Sequence, residues 1–398
     1  MDTGAYRSVW GVRAARRVLI LGAVVRIPLW AGSVALTLHL VGHLHRSYAE
    51  AGLVVTASTI AVAVSGPWRG RRVDRVGLRA TVAPSLAVLA GCWAIAPFTG
   101  YLPLLMLAFL AGLFAVPTFS IVRQALICAV PPERRRAALS VDSVMVELSF
   151  MIGPPLGVLL ASTMPTPWAL LICEYTSIAG GLALWVANPR MRAEDPDAID
   201  AGGATDAARS RQVVGVLVMS AAAVLVLTGT DVATVAALRD MGHSPWIGAE
   251  LAIWGLGSAV GGLIYGALHR PIPVPVLLAA LAAATAPLAA APGPVLLGAL
   301  LLLAGAFCAP TITATVDVLS RAVPDHARGE ALGRHGAAMT VGAAVGAPLA
   351  GAAIDHSGWP AGFLLPALVG LVVAGTVAAL APAPEAAGAV PVPVGPPA

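Results

Sequence analysis

Long apolar runs separated by short polar breaks fill almost the whole chain. A membrane-spanning helix needs about 20 mostly apolar residues. Runs close to that length lie near 18–42, 49–66, 80–98, 102–127, 137–162 and 167–187. A polar stretch follows, NPRMRAEDPDAIDAGGATDAARSRQ, at 188–212. A second set of runs lies near 213–236, 247–268, 274–292, 294–319, 331–354 and 360–382. The pattern predicts an all-α membrane protein with twelve transmembrane spans, numbered 1 to 12 in chain order. It divides into an N-terminal six-helix bundle (1–187), a linker (188–212), a C-terminal six-helix bundle (213–382) and a tail (383–398). The tail is rich in proline and alanine and is expected to be disordered.

Composition agrees with a bilayer as the solvent. Of 398 residues, 58% are apolar and 11% charged, with mean hydropathy +0.85; soluble domains carry about 25% charged residues. Every basic residue is arginine. Net charge is +4, but the arginines are confined to short breaks, which excludes nucleic acid as a partner. Cys92, Cys128, Cys173 and Cys308 lie in or beside apolar runs, without metal-type or CxxC spacing, and are expected as free thiols. Arg7, Arg13, Arg16 and Arg17 precede an apolar run that extends from Val18 to about Val41. That run exceeds the 7–15 residues of a signal peptide's apolar region, so it reads as an uncleaved first span.

The arginines also orient the spans. The N-terminus and the segments 69–79, 134–136, 190–211, 270 and 321–334 hold nearly all of them, whereas the opposite breaks hold only Arg46 and Arg239. The positive-inside rule then places both termini in the cytoplasm, in a multi-pass protein of the cell membrane.

The two sets of six are related. PTFSIVRQALICAVPPERRRAALS (117–140) aligns with PTITATVDVLSRAVPDHARGEALG (310–333) at a constant offset of 193, and the match runs on to Gly153 over Gly346 and Pro155 over Pro348. Two parallel halves of common origin, with a site near the midplane between them, suit alternating access by rocking.

GRRVDRVGLR (70–79) carries five charged residues, as many as any ten-residue stretch of the chain. It is similar to the signature G-x-x-x-D-R-x-G-x-R of the major facilitator superfamily, between helices 2 and 3, at Gly70, Asp74, Arg75, Gly77 and Arg79. VPPERRRAALS resembles that family's loop 4–5, and GPPLG (153–157) resembles the core of the helix 5 motif of its antiporters. The resemblance covers the chain from span 1 to span 12. It implies the family's fold of two pseudo-symmetric six-helix bundles and a bacterial, drug-efflux or antiporter-like transporter. It also implies a latch on the cytoplasmic side formed by the 70–79 cluster. Three features depart from the pattern: PLLMLAFLAGLFAVP in span 4 lacks the antiporter arginine, Phe150 and Val158 stand where glycines are expected, and Arg270 stands where the second half would carry an acid.

Read physically, Gly70 and Gly77 are expected to supply positive-φ turns. Asp74 is expected to face the positive end of a helix dipole, and the arginines to reach helix C-termini or anionic lipid heads. The arginines alone need only enforce topology; that role requires no acid.

Ionisable groups inside spans cost about 2.5–3.5 kcal/mol on insertion scales and mark candidate functional positions. Arg26 in span 1, Arg123 in span 4, and Asp142 and Glu147 in span 5 lie in the cytoplasmic half of the first bundle and sum to zero charge. The expected pairs are Arg123 with Asp142 and Arg26 with Glu147. They either hold spans 1, 4 and 5 together or let Glu147 exchange a proton as the bundle rocks. Glu174 in span 6 and Asp231 in span 7 either line the cavity or sit at the interface. Asp317 is expected to pair with Arg321, and Glu250 and Asp355 to be solvated. His39, His43 and His45 form an interfacial cluster or, less simply, a metal site. Gly153, Pro154 and Gly157 in span 5, with Gly342, Gly346 and Pro348 in span 11, suit either a hinge or tight packing.

The reading that best unites these features is a secondary transporter that exports a small apolar or amphipathic molecule in exchange for protons. The alternative is uptake or facilitated diffusion of a nutrient such as a sugar. No nucleotide loop, metal-ligand set or nucleophile–base arrangement points to an enzyme or an ATP-driven pump. The expected partners are a small-molecule substrate, protons and the lipid bilayer; no cofactor is implied, and the chain is expected to act as a monomer.

Overall fold

The computed structural model describes residues 4–46, 48–191, 211–268 and 270–380. The tail 383–398 and most of the linker fall outside these residues. After a short helix, Gly4–Gly11, the spans follow as α1 (Arg13–His43), α2 (50–76), α3 (78–98), α4 (Tyr101–Ala129), α5 (Pro132–Thr163) and α6 (Thr166–Ala187). The second half holds α7 (Arg211–Asp240), α8 (Ile247–Gly266), α9 (Val274–Ala290), α10 (Pro294–Ala322), α11 (Arg328–Ser357) and α12 (Trp359–Leu380). Among the described residues ten helices are long and apolar enough to cross a membrane; dividing Glu50–Phe98 at Gly77 into α2 and α3 and adding the shorter α9 gives the twelve numbered here.

That junction corrects one expectation. GRRVDRVGLR is not a loop: the helix runs on through the arginines, and only Gly77 leaves helical geometry, at φ 85° and ψ 170°. Nothing between Pro67 and Gly77 breaks a helix, and outside the bilayer a charged helix is as stable as an apolar one. Gly77 alone supplies the positive-φ reversal, where a side chain would be strained. Gly70 is helical and serves another purpose.

The repeat reappears in the packing. In the first half α1 packs on α5 and α6; in the second α7 packs on α11 and α12. Gly153 and Gly157 lie directly on the α1 backbone at Ile27–Ala31, and Gly342 and Gly346 lie on the α7 backbone at Ala221 and Leu225. Apolar spans associate in lipid through such close backbone approach. Both fourth helices are also interrupted. α4 breaks between Leu113 and Thr118, and α10 between Gly305 and Cys308. Pro117 and Pro310, equivalent in the repeat, flank these breaks and remove a backbone donor from each.

The halves meet along α2–α11 and α5–α8, with further contacts of α10 on α5 and of α11 on α4. Large apolar side chains such as Val64, Val295 and Val372 point outward, as a lipid-facing surface requires.

Candidate functional site

At the end of the molecule that carries the α2–α3 junction, the two halves are locked together by polar groups. Asp74 Oδ1 accepts the backbone N–H of Gly329 at 3.0 Å, and Oδ2 accepts that of Glu330 at 2.8 Å. These amides lie in the first turn of α11, where helix N–H groups have no intrahelical acceptor. Asp74 thus supplies an N-cap to a helix of the other half and faces its positive dipole end. The dipole partner is α11, not α3, the helix that Asp74 precedes. Gln124 Nε2 donates to Oδ1 of the same carboxylate at 3.1 Å. Beside it, Arg71 makes a two-pronged ion pair with Glu330 (2.9 and 2.7 Å), which also accepts from Arg334 at 2.7 Å.

Two glycine pairs let the backbones come this close. Gly66 and Gly70 on α2 face Gly333 and Gly329 on α11, and a Cβ on Gly70 would overlap the Gly329 carbonyl. Of the remaining signature residues, Arg75 is exposed in a depression shared with Asn188, Pro189 and Arg190. Arg79 donates to the Trp185 and Val186 carbonyls at the C-terminus of α6 (3.2 and 3.3 Å), while Trp185 Nε1 donates back to the Arg79 carbonyl at 3.1 Å.

Deeper in the first half, Asp142 takes both arginines. Arg26 Nη1 lies 2.6 Å from Oδ1 and Arg123 Nε 3.4 Å from Oδ2. The Arg123 pair is the expected one; the expected Arg26–Glu147 pair does not form. Glu147 is turned to the other half, where its Oε1 accepts the Ser258 hydroxyl of α8 at 2.9 Å. Five residues along a helix turn the side chain by about 140°, so Asp142 and Glu147 face different neighbours. Asp231 of α7, in the other half, lies in electrostatic range of Glu147. Glu174 does not: it lies inside the first half against Gly32 of α1. One further cross-half hydrogen bond lies nearby: the Ser143 and Thr313 hydroxyls are 2.9 Å apart. Within the second half His335 bonds Thr315 at 2.9 Å, in electrostatic range of Arg123.

The same arrangement of helices occurs in solved transporters. The human organic anion transporter MFSD10 (TETRAN) superposes with TM-score 0.69 at 17% identity, covering 94% of this chain and 99% of that one. The E. coli fucose:proton symporter FucP gives 0.71 at 15% identity, with 93% and 100% covered. A bacterial homologue of the iron transporter ferroportin, in an outward-facing state, gives 0.74 at 14% identity, with 92% and 100% covered. No protein with a curated description matches the sequence. The family model of the Major Facilitator Superfamily matches residues 18–297 and 247–396. The chain belongs to the Major Facilitator Superfamily.

As a Major Facilitator Superfamily chain it is a multi-pass transporter, and its sequence missed several residues that the geometry brings to the site. Ser258, Thr313 and Thr315 are small hydroxyls in apolar spans and give no sequence signal. Glu330 and Gly329 did leave one: Gly66-xxx-Gly70 and Gly329-xxx-Gly333 are matching small-residue spacings in segments that carry the family's loops. His335 was also findable, because the offset of 193 places it over Asp142.

Other expectations resolve individually. Asp317 pairs with Arg321 at 2.9 Å, and Asp355 is exposed. Glu250 is not solvated: only 1% of it is exposed, against Gly298 of α10. At this end of α8 the neighbouring span replaces water. Of the three histidines expected at the interface, His43 and His45 are exposed, whereas His39 is buried, bonded to Thr166 at 3.0 Å and stacked on His43 in a π-helical turn. Pro154 and Pro348 lie within continuous helices, and the glycines beside them pack on the α1 and α7 backbones.

Proposed function

We propose that this Major Facilitator Superfamily member exports a small apolar or amphipathic molecule across the cell membrane in exchange for protons, by alternating access. Both termini and the Asp74 latch face the cytoplasm in this reading, in keeping with the arginine distribution. The observation that carries it is the Glu147–Ser258 hydrogen bond between α5 and α8. An ionised carboxylate accepts this bond strongly, and a charge-assisted bond is about twice as strong as a neutral one. Protonation of Glu147 therefore weakens a contact between the halves, and ionisation restores it. Asp231 strengthens the link, since two nearby carboxylates favour holding one proton between them.

The proposed cycle uses these contacts. With the latch closed, the cytoplasmic end is sealed by Asp74, Arg71 and Glu330, and the Glu147–Asp231 region belongs to the opposite vestibule. A proton taken there loosens α5 from α8; release on the cytoplasmic side accompanies unlatching and substrate loading. The close-packed crossings at Gly153 and Gly346 let each bundle move as a unit.

The test is a substrate panel in proteoliposomes with and without a proton gradient, on wild type and Glu147→Gln. Gradient-driven transport in wild type and its loss in Glu147→Gln, with substrate binding kept, supports the reading. Gradient-independent equilibration of a sugar by both proteins replaces it with facilitated diffusion.

A further inference from the structure

We infer that Arg26, backed by Arg123, binds an anionic group on the transported molecule, namely a carboxylate, sulfonate or phosphate on an otherwise apolar body. The inference rests on the transport reading above and names its substrate class.

Charge balance is the starting point. Arg26 is 0% exposed, Arg123 7% and Asp142 0%. Two guanidinium groups share one carboxylate, so the cluster carries one surplus positive charge inside the membrane. Both Asp142 oxygens are already engaged, one by each arginine. Glu147 is bound to Ser258, and His335, the titratable group facing Arg123 from α11, brings no negative charge. The Phe119 ring lies 4.7 Å from Arg26 and 6.0 Å from Arg123 and offsets part of the charge. It offers no hydrogen-bond acceptor in the ring plane.

Donor balance points the same way. Arg26 Nε and Nη2 are buried and find no acceptor among the described residues. A single arginine would have sufficed to neutralise Asp142. The additional, unfilled donor edge of Arg26 is planar and matches two oxygens of a carboxylate, sulfonate or phosphate. The cluster sits on α1, α4 and α5, and α11 packs against α4. Departure of α11 on unlatching uncovers it toward the cytoplasm, where an exporter loads.

The probes are 8-anilinonaphthalene-1-sulfonate and N-phenyl-1-naphthylamine, which differ only in the sulfonate. Saturable binding is read by energy transfer from tryptophan, in zwitterionic phosphatidylcholine nanodiscs, on the latch-released Asp74→Asn protein. The expected result is about tenfold tighter binding of the sulfonate, the effect of one charge-assisted bond. Arg26→Gln in that background should abolish the preference, and Arg26→Lys should keep part of it. Arg26→Gln leaves the neutral Arg123–Asp142 pair, which favours folding. If it does not fold, the comparison of the two probes on the Asp74→Asn protein still decides, because equal affinity overturns the inference. Displacement of the sulfonate probe by added phosphatidylglycerol, lost in Arg26→Gln, would assign the site to a lipid headgroup and overturn it as well. Binding is read without a proton gradient, so failure of proton coupling leaves this result standing, and the reverse holds too.

Discussion

Asp74 in the first half caps Gly329 in the second: its Oδ1 accepts the Gly329 amide at 3.0 Å, across 255 residues of sequence. Asparagine keeps one acceptor oxygen but removes the charge and turns an NH2 donor toward an amide or Gln124; hydrogen bonds to charged groups contribute about 1.5–3 kcal/mol. Asp74→Asn should therefore shift the latch toward open by roughly tenfold. Spin labels at Arg72 and Arg321, in a protein whose four native cysteines are replaced, would report a longer distance population at this end. An unchanged distance distribution would show that Asp74 does not hold the latch.

Gly70 and Gly77 should fail in different ways. Alanine at Gly70 raises helix propensity by up to about 1 kcal/mol, yet its Cβ meets the Gly329 carbonyl. Gly70→Ala is expected to keep thermal stability and hold the latch open in the same spin-label measurement. Gly77→Ala forces a side chain to φ 85°, at a cost of about 1–2 kcal/mol. It should lower the midpoint of thermal unfolding and leave the latch distance in place.

The buried arginines and their acid should respond asymmetrically. Asp142→Asn strands two buried guanidinium groups, and breaking such a pair costs about 3–5 kcal/mol. Arg123→Gln or Arg26→Gln leaves one arginine on Asp142 and should cost much less. Thermal unfolding in detergent, monitored by tryptophan fluorescence, separates them. Equal losses for all three would show that the arginines are not in surplus.

The Arg71–Glu330 pair is half-exposed, and exposed pairs contribute about 0.2–1 kcal/mol. Arg71→Ala should weaken the latch only slightly, and less so at high salt. Glu330→Ala should do more, because Glu330 also holds Arg334. The spin-label distance at low and high ionic strength distinguishes the two.

Much of this architecture was legible because membranes impose simple rules. The spans came from apolar length, and the pseudo-symmetry came from one gap-free repeat. The latch came from an acid where topology needed only arginines. What stayed hidden depended on rotation about helix axes. Glu147 sits five residues from Asp142, and the sequence could not tell that one faces the arginines and the other Ser258. Glu250 and His39 lie close enough to span ends to read as wet, and only the packing of α10 and α6 buries them. Gly70 looked like a turn residue because charge around it suggested a loop; its role as a backbone contact required the opposite glycine to be placed.

The central claim is that Glu147 couples a proton to the contact between the halves. Its most direct measurement is proton movement in proteoliposomes containing a pH-sensitive dye, on adding a transported substrate to one side. Wild type should move protons opposite to the substrate, and Glu147→Gln should bind substrate and move none. Wild-type proton movement by Glu147→Gln would show that Glu147 does not carry the proton.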